Sequence, residues 1–215
     1  MDKNGAYIPA LGSDWLTPLY DPLLRWVMQE DTFKRDLVRR AQIRTGQRVL
    51  DLGCGTGTLT ILVKQTHPGA EVVGLDGDPE ILEIARAKAA KAGVDVVLDD
   101  GMAYQLPYAD QSFDRVLSSL VFHHLTRENK RRALRETFRV LRPGGEVLVV
   151  DFGKPHNAYA SLLALIIRRL EQASDNIKGL LPEMFRNAGF EQVEELARFT
   201  TMFGTLSFYR GRKPG

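Results

Sequence analysis

The sequence holds a single cysteine, Cys54, so no disulfide can form within the chain. That usage fits a reducing compartment. Long apolar runs are missing: none approaches the roughly 18 residues of a membrane span. The first residues also lack the pattern of a secretory leader, and a cytoplasmic location is expected. Charge of one sign is scarce. Lysine plus arginine number 29 against 27 acids, a net charge of +2, which argues against a broad polyelectrolyte partner such as nucleic acid. The densest basic run, Arg127-Glu128-Asn129-Lys130-Arg131-Arg132, reads as the solvated face of a helix. No internal repeat and no low-complexity tract is visible. What remains is the composition of a globular domain of 215 residues, long enough for a proper core.

Against these absences stands one dense feature, Val49-Leu50-Asp51-Leu52-Gly53-Cys54-Gly55-Thr56-Gly57. An apolar strand ends in a carboxylate and runs into a loop with glycine at every second position. About 20 residues on, a second strand, Glu71-Val72-Val73-Gly74-Leu75-Asp76, ends in another acid. This is the general form of an adenosine-cofactor site: glycines let backbone approach the ligand, and the second acid takes the ribose hydroxyls. Asp51 discriminates between cofactors. A pyrophosphate here would face a carboxylate two residues before the first glycine, and like charge disfavours that. The dinucleotide fingerprint also wants its third glycine one position later, where Thr58 stands. A ligand carrying an ammonium and a sulfonium is attracted instead, and S-adenosylmethionine is that ligand.

With these motifs the chain resembles the S-adenosylmethionine-dependent methyltransferases of the Rossmann-like class. The resemblance continues through Leu106-Pro107-Tyr108-Ala109-Asp110-Gln111-Ser112-Phe113-Asp114, through Phe122-His123-His124-Leu125 and through Leu141-Arg142-Pro143-Gly144-Gly145. Its ending resembles the quinone-biosynthesis C-methyltransferases. The resemblance implies S-adenosyl-L-methionine as cofactor, S-adenosyl-L-homocysteine as product, a small-molecule acceptor and no metal. It also implies a seven-stranded sheet with an antiparallel last strand.

The pattern of elements agrees. Strands are expected over 48–52, 71–76, 94–98, 113–118 and 146–151, with helices over 57–65, 79–92 and 128–141. Strands of continuous Val and Leu alternating with helices predict an α/β fold, a doubly wound and mostly parallel sheet covered on both faces. Then come a helix over 180–188 and strands over 191–199 and 200–210. Residues 1–45 are expected to form an N-terminal helical arm of the same domain, with one or two amphipathic helices over 23–40. Residues 46–215 are expected to form the methyltransferase domain.

Candidate site residues follow. Asp51 is expected beneath the methionine ammonium, with Gly53, Cys54 and Gly55 as the cofactor loop. Asp76 is expected on the ribose and Gly77 along the adenosine. Asp78, just before Pro79, is the better helix cap, which leaves Asp76 free. Related enzymes carry an aspartate for the adenine amino group where Met102 stands; Met102 is expected to pack on the ring and Ala103 to offer its N–H. Ser118 faces the methionine half, and Tyr20 is a lid residue by resemblance. His123 or His124 is a candidate general base, and Asp151 a comparable candidate on the substrate side.

Three functions stay in view. The first is methyl transfer to a quinone-like or other small metabolite. The second is a phospholipid or lipid-amine N-methyltransferase with peripheral lipid contact, suggested by Leu162-Leu163-Ala164-Leu165-Ile166-Ile167 before Arg168-Arg169. That same stretch also reads as a core or homodimer helix. The third is a non-catalytic cofactor-binding partner protein. Nucleic-acid methylation is disfavoured, because Ser118-Ser119-Leu120-Val121 replaces an Asn-Pro-Pro-Tyr element.

Overall fold

A computed structural model describes residues 30–156, 174–201 and 204–215. Tyr20, the rest of the arm before Glu30 and the apolar stretch over 159–170 lie outside the described residues. The elements in chain order are α1 (Glu30–Ala41), β1 (Arg48–Leu52), α2 (Thr58–Thr66), β2 (Glu71–Asp76), α3 (Pro79–Ala92), β3 (Val97–Asp100) and β4 (Phe113–Ser119). A 3-10 turn (Phe122–His124), α4 (Arg127–Val140), β5 (Leu141–Phe152), α5 (Ser174–Ile177), α6 (Leu181–Asn187), β6 (Glu191–Thr201) and β7 (Gly204–Arg212) complete them.

One sheet of seven strands runs in the order β3-β2-β1-β4-β5-β7-β6. The pairings among β3, β2, β1, β4 and β5 are parallel. β7 is inserted antiparallel between β5 and β6. Alternate residues of each central strand enter opposite cores. Leu50 and Leu52 join Val116, Val147 and Val149 under α4 and α6. Val49 joins Leu117, Leu148 and Val150 under α1 and α2. Burial on both faces is why these strands read as unbroken apolar runs. In α1, Phe33, Leu37, Val38 and Ala41 are buried, one face of a helix at the expected spacing.

Several boundaries differ from the sequence expectation. The third strand is Val97–Asp100, not 94–98. Parallel pairing with β2 sets Val73 opposite Val97 and Asp76 opposite Asp100, so register with a neighbour outweighs the low strand propensity of Asp99 and Asp100. The fifth strand begins at Leu141, because Leu141 already pairs with Phe113. The Pro143-Gly144-Gly145 turn is an irregularity inside the ladder, and Gly144 sits at φ +74°. The sixth strand runs on to Thr201, which pairs with Gly204 of the seventh. Other expectations match closely. Asp78 caps α3, accepting from the N–H groups of Glu80 and Ile81, and Gly93 closes that helix at φ +64°.

Candidate active site

β1, β2, β4 and β5 run parallel, so Leu52, Asp76, Ser119 and Phe152 end at one edge of the sheet. Strand order reverses between β1 and β4, and ligands of open α/β sheets sit outside the carboxyl ends at that point.

The glycine loop is shaped there by backbone. Gly53, Gly55 and Gly57 hold φ of +72°, +53° and +76°. The N–H groups of Gly53 and Cys54 both donate to the Leu75 carbonyl, at 2.8 and 2.9 Å, tying the loop to β2. A Cβ on Gly53 would stand 2.4 Å from Cγ2 of Val121, whereas one on Gly55 would meet no protein atom among the described residues. Gly53→Ala is therefore expected to combine a backbone penalty with a clash, lowering stability by about 1–3 kcal/mol. Thermal unfolding, with Gly55→Ala as the strained but unclashed reference, measures the packing part.

Asp51 is 1 % exposed. Its Oδ2 accepts from Thr60 Oγ1 at 2.6 Å, and its Oδ1 has no partner among the described residues. Burial pushes this carboxyl up to about 6, opposed by the Thr60 hydroxyl and the Lys34 charge. An ionised carboxylate that is buried with one oxygen unpaired attracts a cation. A positively charged amine is the group that fits it. Asp76 is half-buried, which raises its pKa, while the N–H groups of Gly55 (2.8 Å) and Asp78 (3.1 Å) act against the rise. It holds the loop and still presents acceptor lone pairs for hydroxyl donors. Cys54 is buried, and burial together with the Asp51 and Asp76 carboxylates pushes its thiol well above the ordinary range. It is a packing residue and not a thiolate nucleophile.

Past the end of β2, a Cβ on Gly77 would stand 2.7 Å from the Met102 sulfur, so the two residues are packed together, Ala103 following next in the chain. Nearby, Asp99 of β3 accepts from the Tyr108 hydroxyl at 3.0 Å. Ser118 is fully buried and donates its hydroxyl to the Leu52 carbonyl at 3.0 Å, cross-linking β4 to β1.

On the other side of the switch point, His123 and Asp151 meet. His123 Nδ1 lies 3.0 Å from Asp151 Oδ1, and the His123 and Phe152 backbone N–H groups donate to the same carboxylate at 3.3 and 2.7 Å. Burial alone would raise the Asp151 pKa; the His123 ring and these N–H groups outweigh it and hold the carboxyl below its usual value. An ionised Asp151 takes the Nδ1 proton of His123 as its hydrogen bond, leaving Nε2 as the basic nitrogen. His124 differs. Burial lowers its pKa to about 4, the neighbouring His123 adding to the effect, and its ring lies 3.9 Å from that of His123. Of the two histidines, only His123 bonds a carboxylate among the described residues.

Thr60, Lys34, Val121 and the α5 residues Asp175 and Asn176 also shape this region, and no sequence signal singled them out. Their roles arise from contacts across elements: Thr60 reaches Asp51 from α2, and Arg127 of α4 reaches Asp175 of α5. Among the described residues no helix is long and apolar enough to cross a membrane, and no His, Cys, Asp and Glu group could hold a metal ion.

Residues 49–145 match the model of a methyltransferase domain family. The demethylmenaquinone methyltransferase of Thermus thermophilus is 39% identical over 142 residues, 65% of this chain and 64% of that protein. The chain thus spans somewhat under two thirds of that relative's length. The ubiquinone/menaquinone biosynthesis C-methyltransferase of Pasteurella multocida is 32% identical over 205 residues, 84% of this chain and 75% of that protein. Among solved structures, phosphoethanolamine N-methyltransferase 2 of Haemonchus contortus, in complex with phosphomonomethylethanolamine and S-adenosylhomocysteine, has the same fold. Its TM-score is 0.72 at 19% identity, over 86% of this chain and 53% of that one. The matched sequence, the strand order and the glycine loop between two acid-ended strands converge: the chain belongs to the Rossmann-like S-adenosylmethionine-dependent methyltransferase family that includes the ubiquinone/menaquinone biosynthesis C-methyltransferases.

Proposed function

We propose that this chain methylates a small, hydroxyl-bearing acceptor of the quinol type, with His123 as general base. The observation that carries the reading is the His123–Asp151 pair at the carboxyl edge of β5, beside the strand-order reversal. Withdrawing the proton of an acceptor hydroxyl makes its oxygen, and in a quinol the ring carbon conjugated to it, nucleophilic, and a histidine held in one tautomer by a carboxylate is suited to take that proton. The demethylmenaquinone and ubiquinone/menaquinone names of the relatives support the same acceptor class.

In this reading the cofactor supplies a methyl carbon on a positively charged sulfur. Asp51 holds the ammonium through its unpaired oxygen, Asp76 accepts from the ribose hydroxyls, and the backbone of Gly53, Cys54 and Gly55 lies against the ligand. Gly77, Met102 and Ala103 line the adenine, with Met102 packing where an acid is usual. Ser118 acts through its bond to Leu52, keeping the β1 end in place. Asp151 holds His123, whose Nε2 withdraws the acceptor proton. His124 packs against His123 and stays neutral. The chain's task is to orient the acceptor in line and exclude water. The lipid-amine alternative, the homodimer helix and the lid residue Tyr20 fall on residues outside those described, so no observation favours them.

The test is calorimetric titration with S-adenosylhomocysteine, followed by radiolabelled methyl transfer to a panel of quinols, phenols and amines. Micromolar binding is expected, weakened about 100-fold or more by Asp76→Ala, which removes acceptors from the ribose and frees the loop. Label is expected in the quinols. Label in amines alone, or binding with no transfer to any acceptor, would defeat the proposal; the latter would favour a non-catalytic partner protein.

A further inference from the structure

α5 is short and packs against the 3-10 turn that carries His123 and His124, and against β5. Asp175 anchors it. Both of its oxygens accept from Arg127 Nε at 3.1 Å, and Lys130 Nζ, on a fully buried side chain, lies 3.8 Å away. Asn176 is next in the chain. It is 0 % exposed, yet among the described residues neither its Nδ2 nor its Oδ1 has a hydrogen-bond partner. A buried amide left unpaired on both atoms forfeits the bonds that water would give it, and native proteins rarely keep such a group without a use for it. Asp51 Oδ1 stands in the same condition. There the deficit faces a cationic ligand; at Asn176 the group is neutral and offers both a donor and an acceptor. The charges beside it are already matched, since Arg127 and Lys130 both face Asp175. An anionic ligand would have to compete with Asp175 for them, while a neutral oxygen function has an amide to meet.

We propose that Asn176 is an acceptor-binding residue, pairing its amide with a second oxygen function of an acceptor whose first hydroxyl is served by His123. The inference rests on the methyl-transfer reading for the identity of the ligand, and it assigns to Asn176 the second oxygen function that a quinol-type acceptor carries. It makes Asn176 a determinant of specificity without a part in the chemistry.

The experiment uses the full chain loaded with S-adenosylhomocysteine and kept anaerobic. It is titrated separately with 1,4-dihydroxynaphthalene and with 1-naphthol, which lacks the second hydroxyl. Wild type is expected to prefer the diol by about tenfold or more, because a site built to bond a hydroxyl rejects the analogue without it. Asn176→Leu, of similar size and without polar atoms, is expected to bring the two affinities together. Asn176→Ser, which keeps a donor and an acceptor, is expected to retain part of the preference and serves where the leucine variant does not fold. Equal binding of both probes by wild type, binding of neither, or a preference unchanged in both variants would overturn the proposal. Methyl transfer to the diol is measured in parallel. Transfer with a preference indifferent to Asn176 defeats this inference alone. An Asn176-dependent preference without transfer defeats the methyl-transfer reading alone.

Discussion

Asp51→Asn is expected to make the ligand-free protein more stable and its cofactor complex much weaker. The carboxyl is buried, shares one oxygen with Thr60 and leaves the other unpaired among the described residues, and its pKa rises from 3.8 to about 6. A raised acid binds its proton more tightly in the folded state, so the folded chain holds more protons than the unfolded one between those values. Its favourable contribution is present below pH 4 and is lost as pH rises through about 6. At neutral pH the ionised group is a liability of about 3 kcal/mol at most, and a neutral amide of the same shape recovers part of it. A gain of about 1–2 kcal/mol is expected near pH 7.5, shrinking toward zero by pH 4, and thermal or urea unfolding across that range measures it. Cofactor binding should move the opposite way. The ammonium loses a charge-assisted hydrogen bond, and affinity is expected to fall about 10- to 100-fold. Wild-type affinity for S-adenosylhomocysteine should itself weaken as pH drops through about 6, and the variant should lose that dependence. A variant that binds the cofactor as wild type does would remove Asp51 from the site. The trade of stability for function is the usual mark of a group kept for its ligand.

His123→Ala and Asp151→Asn are expected to cut kcat by about 100-fold to 10,000-fold, the range assigned to a positioned general base. Both should leave S-adenosylhomocysteine affinity unchanged, since the hydrogen bonds of this pair run to each other and to the His123 and Phe152 backbone, away from the glycine loop. The Asp151→Asn variant separates two roles. Its side-chain amide can donate to Nδ1 instead of accepting from it, favouring the tautomer with its proton on Nε2, and catalysis would fall although the histidine is still present. His124→Ala is the control. Its ring is neutral through the physiological range and bonds no carboxylate among the described residues, so an effect of tenfold or less is expected. A loss at His124 equal to that at His123 would overturn the assignment of the base. Asp151 also bears on stability with a sign opposite to Asp51. Its pKa is depressed, so its contribution is present above about pH 4 and is lost as pH falls further. The variant should therefore be less stable at neutral pH and converge with wild type in acid.

Much of this protein is determined by local sequence. The glycine loop, both strand-end acids, the Asp78 cap before Pro79 and the alternation of strands and helices are written in residues close together in the chain. Their physics is local: left-handed turns need glycine, an N-terminal cap needs a side-chain acceptor, and doubly buried strands need continuous apolar residues. The boundaries that differed were decided by partners elsewhere. β3 starts at Val97 because β2 sets its register, and β5 begins at Leu141 because Phe113 pairs with it across an irregular turn.

The site divides along the same line. Asp51, Asp76 and the glycines were legible because a motif holds them at short spacing. The pairing of His123 with Asp151 joins residues 28 apart, and that of Arg127 with Asp175 joins residues 48 apart. Nothing in a linear pattern tells the histidine with a carboxylate behind it from its neighbour, whose ring is buried and stays neutral. Nor does it tell which acid is left with an unpaired oxygen, or that Asn176 is buried with both amide atoms unmet among the described residues. Hydrogen-bond satisfaction and desolvation depend on what the other elements bring to a point in space. The sequence alone therefore determined the fold class and the glycine loop, while the carboxylate partner of His123 and the unpaired atoms of Asp51 and Asn176 were decided only when distant segments met across the sheet edge.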